Sequence, residues 1–201
     1  MSSIRLMASA LALGVMSASA LAGTTVYSSS SAFLAQIAPG AYTESFTGLD
    51  SPPSGAVGFS GNGFAYSLFA PSDIYASGDF VGTSQINEAL TISFLGGNVY
   101  AVGGNFFATN ISDAFQSVQI SLSLSDGTSV SFTPTSLADS YRGFVSDSAI
   151  TSLTISAPGM SLYAGLDNLT VAAVVPEPAS VLLASLGLIG VGFAARRRRQ
   201  A

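Results

Sequence analysis

The 201-residue chain contains no cysteine, histidine, lysine or tryptophan. Each absence removes a class of chemistry. Without His or Cys there is no Ser-His-Asp or Cys-His nucleophilic unit, and no zinc site of the usual kind. Without Lys there is no Ser-Lys nucleophile and no Schiff base. Gly61-Asn62-Gly63 and Gly96-Gly97 lack the lysine that a phosphate-cradling loop requires. Without Trp, the strongest sugar-stacking ring is missing. With no disulfide available, stability must come from packing, helped at most by a metal. Lipid attachment at the start is excluded as well, because Leu21-Ala22-Gly23 is followed by Thr24 where a lipobox needs Cys.

Positive charge is nearly as scarce. The basic residues are Arg5, Arg142 and Arg196 to Arg199, so five of the six sit near the two ends. Residues 23–175 carry ten acids against Arg142 alone, a net of nine negative charges. Such a surface repels phosphate backbones and anionic lipid, which argues against nucleic acid as a partner. It suits cations or neutral polymers such as polysaccharide.

The long apolar runs are confined to the ends. Residues 1–22 have the parts of a secretory signal: Arg5, an apolar stretch from Leu6 to Val15, and small residues before the cut. Ala20-Leu21-Ala22 predicts cleavage after Ala22 by the secretion machinery and a mature start at Gly23, with cleavage after Ala20 as the alternative. At the other end Pro176 and Pro178 forbid a helix running in from the body, while Pro178 suits the start of a new one. Ala179 to Ala195 are 17 uncharged residues followed by Arg196-Arg197-Arg198-Arg199. As a helix they span about 25 Å, just short of a bilayer core of about 30 Å. The arginines would remain cytoplasmic, leaving the body outside the inner membrane.

Residues 175–180, Val-Pro-Glu-Pro-Ala-Ser, with the apolar segment 179–195 and the arginine cluster 196–199, resemble the PEP-CTERM sorting signal of Gram-negative bacteria. The resemblance covers residues 175–201. It implies that Pro176, Glu177 and Pro178, together with Arg196, Arg197, Arg198 and Arg199, are read by an exosortase, an integral-membrane transpeptidase-like enzyme that cuts near Pro-Glu-Pro. It further implies an inner-membrane stage before release to the cell surface or extracellular space, in bacteria that make exopolysaccharide. An ordinary C-terminal anchor predicts the same topology without the cut.

Residues 23–174 read as one exported all-β domain, a two-sheet sandwich of jelly-roll type with about eleven strands. Short apolar runs are separated by Gly, Pro, Asn, Asp and Ser, and no helical period is sustained. Strands are expected at Thr24–Tyr27, Ala41–Phe46, Phe64–Phe69, Ala89–Leu95, Val99–Val102, Asn105–Ala108, Ser117–Ser125, Thr128–Phe132, Arg142–Val145, Thr151–Ser156 and Asn168–Val174, with one short helix over Ser31–Ile37. In the clearest hairpin, a two-residue loop at Asp126-Gly127 would set Leu122 against Ser131 and mix the faces. A three-residue loop Ser125-Asp126-Gly127 pairs Leu122 with Val130 and Ile120 with Phe132, and requires Gly127 in the left-handed conformation.

The body shows no catalytic signature and reads as non-enzymatic: a surface or matrix protein linked to exopolysaccharide or biofilm. A carbohydrate-binding module is the alternative, with Tyr66, Phe69, Tyr75, Tyr100, Tyr141 and Tyr163 as available rings and Phe106 and Phe107 read as core or half-buried strand residues. A carboxylate-dependent glycoside hydrolase is a third reading. Glu44 and Glu88 are the only glutamates of the body, but nothing in their spacing brings a pair together. No cofactor is expected beyond a structural calcium ion, for which oxygen ligands are plentiful. Glu44 and Asp167 occupy positions comparable to calcium ligands in carbohydrate-binding sandwiches that this body resembles, while Asp167-Asn168 also reads as a plain turn before the last strand.

Overall fold

A computed structural model describes residues 23–157 and 161–174. The export signal with Ala20 and Ala22, the tail motif, the expected helix over 179–195 and the arginine cluster lie outside these residues. Among the described residues no helix is long and apolar enough to cross a membrane.

The chain runs through β1 (Thr24–Tyr27), a single-turn helix α1 (Ser30–Leu34), β2 (Tyr42–Glu44), β3 (Val57–Gly61), β4 (Phe64–Phe69), β5 (Ile74–Ala76), β6 (Val81–Thr83) and β7 (Leu90–Leu95). It continues through β8 (Ala101–Thr109), β9 (Phe115–Gln116), β10 (Ile120–Leu124), β11 (Ser129–Phe132), β12 (Tyr141–Ser146), β13 (Ser152–Ser156) and β14 (Tyr163–Ala172). Two antiparallel sheets result. An eight-stranded sheet follows the order β1-β12-β8-β14-β6-β5, with β2 beside β14 and β9 beside β8. The second, six-stranded sheet has the order β11-β10-β13-β7-β4-β3. From β7 onward the chain crosses repeatedly between sheets, so that β8 pairs with both β12 and β14 while β13 pairs with both β7 and β10 in the other sheet.

Period-two alternation builds the shared core. Leu90, Ile92, Ile120, Leu122, Leu153 and Ile155 point inward from the six-stranded sheet, meeting Val102, Phe106, Phe144, Leu166, Leu169 and Val171 from the other. Removing such a side chain from water stabilises by about 1.5–3 kcal/mol. The outer face of the six-stranded sheet is wet, and serine hydroxyls pair across it, Ser121 with Ser131 at 2.9 Å and Ser123 with Ser129 at 3.2 Å.

The hairpin has the three-residue loop. Ile120 lies opposite Phe132 and Leu122 opposite Val130, with Gly127 at φ +89°. Elsewhere the boundaries differ from the expected ones. The two segments Val99–Val102 and Asn105–Ala108 are one strand, β8, because Gly103 and Gly104 are continuous with the ladder to β12. The last strand begins at Tyr163, so Asp167-Asn168 is not a turn before it but a bulge within it, with Asn168 at φ +52°. The second strand stops at Glu44, two residues before Phe46 turns left-handed at φ +56°. Strands β3, β5, β6 and β9 were not expected. Short and carrying little alternation, β5, β6 and β9 are specified by their partners rather than by their own pattern.

Both ends of the described domain leave from one side of the eight-stranded sheet. Thr25, Val145, Ala101 and Ala172 form a row across β1, β12, β8 and β14, and Ile37 bridges Val174 just beyond it. Thr109 lies eight residues along β8 from that row, about 26 Å away at about 3.3 Å per residue.

Candidate functional site

The outer face of the eight-stranded sheet is built by the residues that alternate with the core: Gly103, Asn105, Phe107 and Thr109 on β8, Gly165, Asp167 and Thr170 on β14, and Tyr141 and Gly143 on β12. Half of this face is closed by the chain itself. The Ser29 hydroxyl caps α1 by accepting from the Ala32 amide at 3.4 Å, and the turn lays Phe33 over Gly103 and Gly143. Phe33 is fully buried, packed with Tyr27, Ala101, Tyr141 and Ala172. A Cβ at Gly143 would stand 2.6 Å from its ring, so only glycine admits it.

The other half stays open. Gly165 receives the ring of Phe107, and a Cβ there would lie 2.7 Å from it. Phe80 meets Phe107 edge-on with centroids 5.3 Å apart, and Tyr75 stands 6.1 Å from Phe80. Phe107, itself buried, lies beneath a cleft of about 330 Å³ walled by the half-buried Phe80 and Phe115, with Asp79, Asp113 and Asp167 around it. A second cleft of about 580 Å³ adjoins it, sharing Asn105, Ala138 and Asn168, and is lined by hydroxyls from Ser28 to Ser31, Thr43 and Thr170. Pockets of roughly 300–1,000 Å³ with apolar walls and a few convergent polar groups are the usual form of a ligand site.

Hydrogen bonds fix the junction between the clefts. Asn105 Nδ2 donates to the Leu137 carbonyl at 3.1 Å and to the Ser140 hydroxyl at 3.2 Å, and Asn105 Oδ1 accepts from Asn168 Nδ2 at 3.4 Å. The Asp167 carboxylate accepts from the Asn168 backbone amide at 2.7 Å and from Asn168 Nδ2 at 2.8 Å. The bulge that places Asn168 left-handed makes this reach possible, a common use of bulges at sites. Burial holds the Asp167 carboxyl above the ordinary carboxylate range, the Asn168 amide draws it partly back, and the charge of Asp79 pushes it up again. Tyr75 donates to Asp113 Oδ2 at 2.6 Å, and that bond is the main reason its phenol is raised. Beneath α1, the Tyr141 hydroxyl is buried without a closed hydrogen bond, although Ser30 stands beside it; burial raises this phenol as well.

The residues singled out in the sequence are dispersed. Glu44 lies opposite Leu169 and so shares the core face of the sheet, where Tyr42 donates to Oε2 at 2.6 Å and the Phe46 amide to Oε1 at 3.1 Å. Burial and the Glu44 carboxylate together push the Tyr42 phenol up to about 12. Asp167 faces outward, so the two residues expected to share a calcium ion stand on opposite faces of one sheet. No group of three or more metal-ligating side chains occurs among the described residues. Glu88 accepts from the Ser72 amide and hydroxyl at 3.1 and 2.5 Å and is not brought to Glu44 by any shared contact. Of the candidate rings, Tyr66 is buried in the core and Tyr141 beneath α1, while Phe69 and Tyr75 are exposed. Phe107 is buried but on the outer face. Asp79, Phe80, Asp113 and Phe115 were missed. The run Ser77-Gly78-Asp79-Phe80 signals only a turn, and the folding of β14 against β8 and β6 is what turns it into a wall.

The fold defines a class first: an all-β protein of two antiparallel sheets with one sheet face left partly open. Beyond that domain, residues 174–199 match the PEP-CTERM protein-sorting motif, so the chain carries that motif and is an exported protein directed to exosortase sorting. The match begins at Val174, where the last bridge of the domain closes. No curated protein and no solved structure matches the chain.

Proposed function

We propose that this is a non-enzymatic protein of the cell surface or extracellular matrix, which holds polysaccharide in the open clefts of its jelly-roll-like domain. The observation that carries the reading is the less covered half of the outer face: the half-buried rings of Phe80 and Phe115 as walls, amides at the junction and hydroxyls in the adjoining cleft. Ring faces suit the C–H face of a sugar, and amides and hydroxyls suit its hydroxyl groups. In this reading the secretion machinery exports the chain, the tail helix holds it briefly in the inner membrane, and the exosortase cuts near Pro176-Glu177-Pro178. The ring-lined cleft lies toward the far end of the sheet from Val174. Exopolysaccharide of the biofilm is the proposed partner, and nucleic acid is disfavoured by the net charge. The scattered glutamates support binding rather than hydrolysis.

Affinity electrophoresis of the full-length protein through gels containing the host's exopolysaccharide tests this. Retardation that weakens in Phe80→Ala and persists in Glu44→Gln is expected. Hydrolysis of the polymer that disappears in Glu44→Gln or Glu88→Gln would replace the reading with a glycosidase.

A further inference from the structure

We propose that the hydroxyl-lined cleft seats an uncharged sugar unit of the polymer, and that the buried Tyr141 hydroxyl is the donor that fixes it there. This deepens the polysaccharide reading and rests on it.

The cleft has a polar floor without charge. Thr170 on β14 lies opposite Gly103 of β8 and opposite Thr43 of β2, and the two threonine hydroxyls share a hydrogen bond of 2.8 Å. Tyr141 of β12 lies opposite Asn105 and leans along the sheet, so that its hydroxyl stands over Gly103 in the space a Cβ would take. The bare Gly103 thus lets the phenol reach the row that carries Thr170 and Thr43. Asn105 and Asn168 close the end toward the ring-lined cleft, and Ser30 stands on the side of α1.

Two observations point to a ligand. Tyr141 lines the cleft at only 7% exposure, and its hydroxyl has no hydrogen-bond partner among the described residues. A buried O–H left without an acceptor is costly, and such groups are rare in folded proteins. Ser30 beside it is exposed, so a ligand oxygen that displaces this one surface side chain meets the phenol. The second observation is electrical. Among the described residues no carboxylate and no guanidinium lines this cleft, in a body that carries ten acids. Glu44, beside Thr43 in the chain, turns to the core face and accepts from Tyr42, and Asp139 accepts from Thr135. Arg142, beside Tyr141, is the only cation between residues 23 and 174, and its guanidinium lies 3.7 Å from the Phe132 ring centroid. An acidic sugar would find no cation here, and an amino sugar no carboxylate. Hydroxyls and amides both donate and accept, which matches the hydroxyls of a neutral sugar, one of whose oxygens accepts from Tyr141.

Calorimetric titration of the full-length protein tests the assignment, using neutral hexamers of glucose, mannose or galactose against hexamers of galacturonate and of glucosamine. All are compared in about 1 M salt, where the Debye length of about 3 Å removes non-specific attraction to the acidic surface. At least one neutral hexamer is expected to bind more tightly than either charged one. Tyr141→Phe should weaken that binding about tenfold, the loss of one buried hydrogen bond. Its melting temperature without sugar should be unchanged or raised, because the phenol supports no contact in the free protein. Thr43→Val, at an exposed position of β2, should also weaken binding. Equal or tighter binding of a charged hexamer overturns the assignment and leaves the polysaccharide reading standing. Binding that Tyr141→Phe leaves intact does the same. So does a lowered melting temperature in Tyr141→Phe, which would mean that Ser30 already holds the hydroxyl within the fold. Failure of every hexamer and of the host's exopolysaccharide removes the polysaccharide reading itself.

Discussion

The two halves of the outer face of the eight-stranded sheet use the same device for different ends. Gly103 and Gly143 make a seat for Phe33, and Gly165 makes a seat for Phe107. In one half the ring comes from α1 and is sealed by Tyr27 and Tyr141, so the seat closes into a small second core. In the other the ring comes from the sheet's own strand and is covered edge-on by Phe80, which itself stays half-buried beside a cleft. Around that pair of rings stand carboxylates and amides as well as the apolar Phe115 and Leu137. The difference separates packing that holds the domain together from packing that presents a surface.

Substitutions can sharpen or break this comparison. The largest effect is expected at the sealed seat, where Gly143→Val would force Phe33 out of its place. Phe33→Ala, which empties the seat, should destabilise by about 3–5 kcal/mol in urea unfolding. A loss no greater than that of Phe80→Ala would mean that the two halves do not differ. Next comes Gly127→Val in the hairpin of the other sheet, where a β-branched residue at φ +89° should cost about 1–3 kcal/mol, read as a lowered melting temperature. An unchanged melting temperature would contradict the three-residue loop. At the open seat Phe80→Ala should leave stability within about 1 kcal/mol of wild type, since the ring is only half buried, and should act on binding.

The smallest effect concerns Asp167. Its folded pKa is raised, so its contribution to stability is fully present below the unfolded carboxylate pKa and is lost as pH rises through the folded value. Asp167→Asn should therefore be slightly stabilising relative to wild type at neutral pH, an advantage that vanishes in acid. The opposite pH trend would show that the carboxylate is paired with a cation. Because Glu44 and Asp167 face opposite ways, calcium should leave the melting temperature of the wild type unchanged. A rise abolished by Asp167→Ala would restore the calcium site.

What could be read from residues alone follows from how local each signal is. The tail is legible because its parts are consecutive: two prolines around Glu177, an uncharged run and four arginines. The hairpin is legible because strict alternation from Val118 to Leu124 and one Asp-Gly pair leave a single register that keeps the faces unmixed. β8 reads as two strands because Gly103-Gly104 looks like a break. Only the rings packed over Gly103 explain why glycine belongs inside a strand there. The cleft was illegible for a related reason. Asp79, Asp113 and Asp167 are separated by 34 and 54 residues in sequence and are gathered only by the pairing of β14 with β8 and β6. Phe107, expected as a core or half-buried strand residue, is a buried strand residue, but it is buried against Gly165 on the sheet's outer face.

The most direct test of the export and sorting on which all of this depends is the intact mass of the native protein recovered from its host. A mass corresponding to Gly23 through a residue between 176 and 180, with or without an added group, is the predicted result and would establish both cuts. A mass that still ends at Ala201 would contradict exosortase processing and leave the domain tethered at the inner membrane by its tail.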